Sequence, residues 1–342
     1  MEHPFVRAFG VVARLSAVGL VLLAVLMALA PRYDWAWRAR ASLTAAVYRP
    51  VQFPLFAKDR DPRCSLADAW REAVPETALA ARIIERKMHV IQTGGGLEQV
   101  ATPAGNFWIP AGDRQALAEE LAEQVGDEYG GDTRGVQAND VVLDCGASAG
   151  TFTRAALRHG AKLVVAIEPA PWALECLRRN LREEIQSGRV ILYPKGVWDH
   201  DDTLQINIPT GMASTAATVS LQRPGGVTAA VPLTTIDRLA TDLRLDHVDF
   251  IKMDIEGAEP NALRGAIRTV RQFHPRMAIS LEHRKTDPAA IPALTRQLWP
   301  GYGTECGPCA NMNGHLQPVV MFAKSARITA RAASQADLAN SR

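Results

Sequence analysis

The sequence lacks a charge bias. Its 342 residues hold 38 lysines and arginines against 36 aspartates and glutamates, a formal net charge of +2. A nucleic-acid-binding surface calls for a marked basic excess, so that class of function is disfavoured. Paired cysteines are also scarce. Cys64, Cys145, Cys176, Cys306 and Cys309 are odd in number, and only the last two are close together. That argues against a secreted disulfide scaffold and leads us to expect a reducing compartment for the main domain. No internal repeat is visible, and no G-x-G-x-x-G run occurs. With 47% hydrophobic and 22% charged residues, the composition is that of an ordinary globular chain. Its length suits one large α/β domain with additions, or two small domains.

One long apolar run does occur. Leu15 to Ala30 carries no charge, and extending it back to Gly10 adds only Arg14. The extended run reaches the length of about 20 residues that a membrane span needs. An arginine near a helix end can snorkel to the headgroups, and Tyr33, Trp35 and Trp37 follow as interfacial aromatics. We therefore expect a single-pass membrane anchor over residues 1–32. A cleavable signal peptide is the competing reading, with Ala28-Leu29-Ala30 as the cleavage pattern, but Pro31 argues against it. A buried core helix fits least, because the run has no amphipathic stripe. Arg32, Arg38, Arg40 and Arg49 slightly outweigh Arg7 and Arg14, which favours a cytoplasmic main domain.

Residues 33–100 read as a juxtamembrane connector with small elements, and 326–342 as a disordered tail. Met88 to Gln92, Glu98 to Ala101 and Phe107 to Pro110 are separated by glycine and proline turns, as in a small β-meander. Asp113 to Val125 has helical spacing. From Val141 on, short apolar runs alternate with helical stretches: Val141–Leu143, Leu163–Ile167, Val190–Leu192, Val248–Met253 and Met277–Leu281 as strands, Thr151–His159 and Pro171–Glu184 as helices. Continuously apolar strands alternating with helices predict a doubly wound, mostly parallel sheet covered on both faces.

Between the first such strand and helix stands Asp144-Cys145-Gly146-Ala147-Ser148-Ala149-Gly150. Gly146 permits the unusual dihedrals of a tight turn, and Gly150 lets the backbone approach a ligand. Glu168 ends the second strand, where an acid can accept hydrogen bonds from both hydroxyls of a ribose. NAD would need a pyrophosphate cradle, and the acid at Asp144 would repel one. Asp144 could instead engage the amino-acid part of S-adenosylmethionine (SAM), directly or through water.

These segments resemble the FkbM family of methyltransferases over about residues 105–323. The likeness is carried by Gly105-Asn106-Phe107-Trp108-Ile109-Pro110, by DVVLDCGASAGTFT from Asp140, by Ala166 to Pro171, by Pro232 to Asp237, by Phe250 to Glu259 and by Leu263 to Ala266. Ser148 stands where the family usually has Asn or similar, and Cys145 where it has Val or Ile. The resemblance implies a class I, Rossmann-like methyltransferase domain over 101–325, with a seven-stranded sheet and SAM at the strand ends. It implies O-methylation of a hydroxyl on a sugar, glycan or other small or lipid-linked acceptor. Around the cofactor it places Asp144, Gly146, Ala147, Ser148, Gly150, Thr151, Phe152, Glu168, Pro169, Gly196, Val197 and Asp254.

Lys252, Asp254 and Glu256 alternate, so they share one face if the strand persists. Methyl transfer needs a near-attack geometry and a group to take the hydroxyl proton. Asp254 is the first candidate, with Glu256 and His283 behind it, and Lys252 to orient an acidic group. Glu259 reads as the start of the next helix. Asp199 to Asp202 reads as a solvated hairpin turn, not a metal site, and no metal ligand is assigned. Cys306-Gly307-Pro308-Cys309 has no second pair to complete a zinc site. Gly211 to Thr215 is a small polar stretch whose position in the family lies near the active site. Two other readings remain: an inactive, membrane-tethered SAM-binding module, and a nucleotide-dependent oxidoreductase.

Overall fold

A computed structural model describes residues 49–73, 76–209, 226–312 and 314–325. The apolar run at 15–30, the connector up to 48, Gly211 to Thr215 and the tail from 326 lie outside these residues. Among the described residues, no helix is long and apolar enough to cross a membrane. The chain divides into two compact units, one of residues up to Glu76 with 314–316, the other of the remainder from Thr77.

In the first unit, helix α1 (Leu66–Glu72) starts at a reciprocal cap. The Asp68 N–H donates to the Ser65 hydroxyl, and the Ser65 N–H donates to the Asp68 carboxylate. Two otherwise orphaned donors are satisfied in this way.

The second unit opens with helix α2 (Glu76–Lys87) and an antiparallel meander of β1 (His89–Gly94), β2 (Leu97–Thr102) and β3 (Gly105–Pro110). Helix α3 (Arg114–Val125) and the short α4 (Gly131–Arg134) follow. Then come β4 (Val141–Cys145), α5 (Thr151–Arg158), β5 (Leu163–Ile167), α6 (Pro171–Asn180), α7 (Arg182–Gln186) and β6 (Val190–Tyr193). A three-stranded sheet of β7 (Gly196–Val197), β8 (Asp202–Pro209) and β9 (Gly226–Thr234) precedes α8 (Ile236–Asp242). The remainder includes β10 (Phe250–Met253), α9 (Glu259–Arg264), α10 (Ile267–Phe273), β11 (Arg276–Ser280), α11 (Asp287–Leu298), β12 (Tyr302–Cys306) and β13 (Val320–Ser325).

The main sheet has seven strands in the order β12-β13-β11-β10-β4-β5-β6. Strands β11, β10, β4, β5 and β6 are parallel, and β13 runs antiparallel to both its neighbours. Strand alternation explains the unbroken apolar runs. Leu143, Val165 and Ile251 enter the core on one face, and Val142, Val164 and Phe250 on the other. Burying each such side chain contributes roughly 1.5–3 kcal/mol. Chain order reverses between β4 and β10, so their carboxyl ends open the crevice where such sheets bind ligands.

Several expectations change. The helix expected over 171–184 breaks at Leu181, which leaves helical geometry (φ −118°, ψ 25°) while staying fully buried. The strand expected from Val248 starts at Phe250, because the Asp249 carboxylate and N–H both bond to the main chain of Val141. The two antiparallel strands beyond β11 were hidden in the cysteine-containing tail. Cys64 and Cys309 are disulfide-bonded, whereas Cys145, Cys176 and Cys306 are free. Spacing along the sequence does not report pairing, and the expectation of reduced thiols fails for these two. Asp199 to Asp201 lies between β7 and β8 and Asp202 opens β8; the two strands flank β9 and do not pair with each other, so this stretch, exposed from His200 to Asp202, is a connection and not the hairpin turn expected.

Candidate active site

The loop after β4 is built from backbone hydrogen bonds. The N–H groups of Gly146 and Ala147 both donate to Ile167 O, at 3.0 and 3.2 Å, and that of Gly150 donates to Ala147 O at 2.8 Å. The Ser148 N–H donates to Glu168 Oε2 at 3.1 Å. Gly146 has φ +84°, and a Cβ there would lie 1.9 Å from Asp254 O, so only glycine fits between the two strand ends. Gly150 also has positive φ, at +89°, but its Cβ would meet Leu177 and Leu181 at 3.1 Å. The close approach there is to helix α6 and not to a ligand, which corrects the reason expected for that glycine.

Asp144 is fully buried. Its Oδ2 accepts from Thr153 Oγ1 at 2.6 Å, and its Oδ1 lies 3.6 Å from Lys252 Nζ. Lys252 in turn donates to Gly146 O at 2.9 Å and lies 3.7 Å from Asp254. Burial opposes the lysine's charge, but the Asp144 and Asp254 carboxylates outweigh it and push its pKa up. Asp144 and Lys252 thus brace the loop from behind.

Around this loop lies a cavity of about 400 Å³, within the range of small-molecule sites. Gly146, Ala147, Ser148, Thr151, Phe152, Glu168, Pro169, Gly196 and Val197 line it, as do Lys252, Asp254, Glu256 and His283. Asp144 and Gly150 are absent from its lining. The expected alternation beyond Lys252 does not persist. Strand β10 ends at Met253, and Glu256 takes a left-handed backbone (φ +58°). The turn, not a strand, brings Asp254 and Glu256 to the cavity.

Glu168 Oε1 accepts from the Ala170 N–H at 2.9 Å, and Oε2 from Ser148. Burial pushes its carboxyl up to about 7 despite these donors. Each oxygen keeps a lone pair for a further donor. Asp254 Oδ2 accepts from the Tyr129 hydroxyl at 3.0 Å, and Oδ1 lies 3.5 Å from His283 Nε2. Burial lowers the affinity of His283 for a proton, but Glu259, Asp254 and Glu256 around it raise its pKa to about 9. Glu282 also lines the cavity. Burial, then the charge of Asp254, pushes it up to about 7.

Residues outside the motifs complete the wall. Glu120 of α3 accepts from Ser148 Oγ at 2.6 Å and from Thr151 Oγ1 at 2.9 Å. Glu123, Tyr129, Trp172, Trp198 and Glu282 are further lining residues that sequence reasoning did not single out. No motif marks α3 as a wall of this cavity. For Glu282, its place at the carboxyl end of β11 was the available signal.

The lining fits SAM better than a dinucleotide. Four loop N–H groups that a pyrophosphate would need already donate within the protein. The wall carries Glu120, Glu123, Glu168, Asp254, Glu256 and Glu282 against Lys252 and His283. Burial pushes several of these carboxyls up, and such a wall offers a pyrophosphate little to bind.

Residues 144–305 match the family model described as Methyltransferase FkbM domain. The structure is similar to the methyltransferase FkbM of Methylobacillus flagellatus KT, at 20% identity and a TM-score of 0.43, over 75% of this chain and 60% of that one. The chain therefore spans less than two thirds of that protein's length. It is also similar to precorrin-6y C5,15-methyltransferase of Geobacter metallireducens GS-15 (13% identity, TM-score 0.34, 60% of this chain, 86% of that one). A third likeness is to SMU.1697c of Streptococcus mutans, solved in complex with SAH (15% identity, TM-score 0.35, 55% and 90% covered). No curated protein matches the sequence. The loop, Glu168 and the Asp254 turn all fall within the segment, residues 144–305, that matches the FkbM methyltransferase domain, a family whose cofactor is SAM.

Proposed function

We propose that this chain transfers a methyl group from SAM to a hydroxyl oxygen of a sugar, glycan or other small or lipid-linked acceptor. The observation that carries the reading is the acidic cavity between a glycine loop with its N–H groups already used and the Asp254–His283 cluster. When bound, SAM supplies an electrophilic methyl group on a positively charged sulfur. Glu168 would hold the ribose through its two oxygens. The Gly146 to Ser148 loop, fixed by Lys252, would hold the remainder.

Asp254 is already engaged by Tyr129, Lys252 and His283, which suits it to positioning. Glu282 has no hydrogen-bond or ion-pair partner among the described residues and lines the same cavity. It is the better-placed carboxylate to take the acceptor's proton.

The apolar run over residues 10–30 would anchor the chain in a membrane, which would put a lipid-linked or envelope glycan within reach. The arginine bias favours a cytoplasmic domain, whereas disulfides at Cys64 and Cys309 belong to oxidising compartments. Thiol labelling in intact cells decides the side.

The test is Glu282→Gln, assayed by release of S-adenosylhomocysteine (SAH) against a panel of sugars and lipid-linked glycans. Turnover should fall by about 10²-fold or more, with SAM affinity unchanged. Undiminished turnover would remove Glu282 from the chemistry. A wild-type protein that binds SAM and methylates no hydroxyl would be a tethered binding module.

A further inference from the structure

The turn after β10, which meets the glycine loop at Gly146, packs against a histidine flanked by carboxylates. His283 Nδ1 lies 3.1 Å from Glu259 Oε1, and Nε2 lies 3.5 Å from Asp254 Oδ1 and 3.6 Å from Glu256 Oε2. Carboxylates therefore flank both sides of one ring.

Two buried atoms there are unsatisfied. Glu259 is fully buried. Its Oε1 accepts from the Ile255 N–H at 2.9 Å, but its Oε2 has no hydrogen-bond partner. His283 Nδ1 is within reach of Glu259 yet too poorly aligned for a hydrogen bond. A buried polar atom left without a partner is costly, most of all if it is charged. One donor atom each from Asp254, Glu259 and His283 lies within 4.8 Å of the other two. Ligands about 2.0–2.2 Å from one ion stand roughly 3 Å apart at right angles and about 4.2 Å apart when opposite. The turn that assembles them is held in a left-handed conformation at Glu256, a residue other than glycine. Such backbone strain persists only where the surroundings enforce it.

We propose that Asp254, Glu259 and His283 form a site for one divalent transition-metal ion at the acceptor end of the cavity. One imidazole with two carboxylates suits Mn²⁺, Fe²⁺ or Zn²⁺ better than the all-oxygen ions Mg²⁺ and Ca²⁺. Glu256, partly exposed at the rim, stands beside the set without belonging to it. Asp254 and His283 line the cavity, so the ion's remaining positions face the acceptor. The use of the site rests on the methyltransferase reading. An ion there would polarise the acceptor hydroxyl and lower its pKa; the O–H proton passes to the Glu282 carboxylate, and the oxygen's electron pair forms a bond to the methyl carbon of SAM as the carbon–sulfur bond breaks and its pair leaves on sulfur in SAH.

The experiment titrates the chelator-treated full chain with Mn²⁺ by electron paramagnetic resonance and with Zn²⁺ by calorimetry, with SAH binding measured in parallel. One ion per chain should bind with a micromolar Kd. Both His283→Gln and Glu259→Gln should weaken it at least about 10-fold and leave SAH affinity within about 3-fold. Glu183→Gln, exposed on α7 and outside the cavity lining, should retain the ion and serves as the folding control alongside melting curves. Folded, SAH-binding protein that takes up neither ion at about 1 mM would overturn the site, and His283 would then be an imidazolium clamp. Uptake undiminished in His283→Gln would overturn it as well. Ion uptake without SAH binding would support the site and count against the methyltransferase reading.

Discussion

The two ends of the cavity are made of different materials. At the glycine loop, the geometry is fixed by main-chain hydrogen bonds from Gly146, Ala147, Ser148 and Gly150. At the other end it is fixed by charge: Asp254, Glu256, Glu259 and Glu282 around His283 and Lys252. The first kind of construction depends on absent side chains and tolerates few substitutions. The second depends on groups whose protonation can change, and it is open to tuning by pH and by ligands.

The largest effect should come from breaking the backbone-built end. Gly146→Ala introduces a Cβ 1.9 Å from Asp254 O at φ +84°. Backbone atoms cannot yield there, so we expect a loss of about 3 kcal/mol or more and no SAH binding, read by denaturant unfolding and calorimetry. Gly150→Ala meets only leucine side chains at 3.1 Å. Its cost should be about 1–2 kcal/mol, with SAH binding retained. Equal losses would erase the distinction between the two glycines.

A smaller effect sharpens the comparison from the charged side. Burial holds Glu168 at about 7 against an ordinary 4.5. In the ligand-free fold it keeps a proton that the unfolded chain releases, so its contribution to stability falls as pH rises from about 4.5 to about 7. Ribose hydroxyls bind the ionised form. SAM affinity should therefore rise up to about 10-fold between pH 6 and pH 8, and Glu168→Gln should flatten the curve. Calorimetry at four pH values checks this. A flat wild-type curve would mean that Glu168 does not hold the ribose.

The same contrast decides what could be read from the sequence. The sheet was legible because strands buried on both faces carry unbroken apolar runs, as at Val141–Leu143 and Leu163–Ile167. The loop and Glu168 were legible because backbone geometry demands glycine at Gly146 and the strand end places the acid. Spacing misled where the chain leaves regular structure. Alternation put Lys252, Asp254 and Glu256 on one strand face, but β10 stops at Met253 and a left-handed turn at Glu256 takes over. Asp144 was read as a ligand group, but it lies buried behind the loop, paired with Lys252 and Thr153. Glu120 and Glu123 reach the cavity from α3, and Tyr129 from the turn after it. Nothing in their own spacing announces it, because a wall contributed by tertiary packing leaves no periodic trace.

The most direct measurement is calorimetric binding of SAM, SAH and NAD to the full chain. The account predicts micromolar SAM and SAH binding, no NAD binding, and a loss of about 10–100-fold for SAM in Glu168→Ala, the equivalent of one or two charge-assisted hydrogen bonds. NAD binding tighter than SAM, or folded protein that binds no SAM, would contradict it.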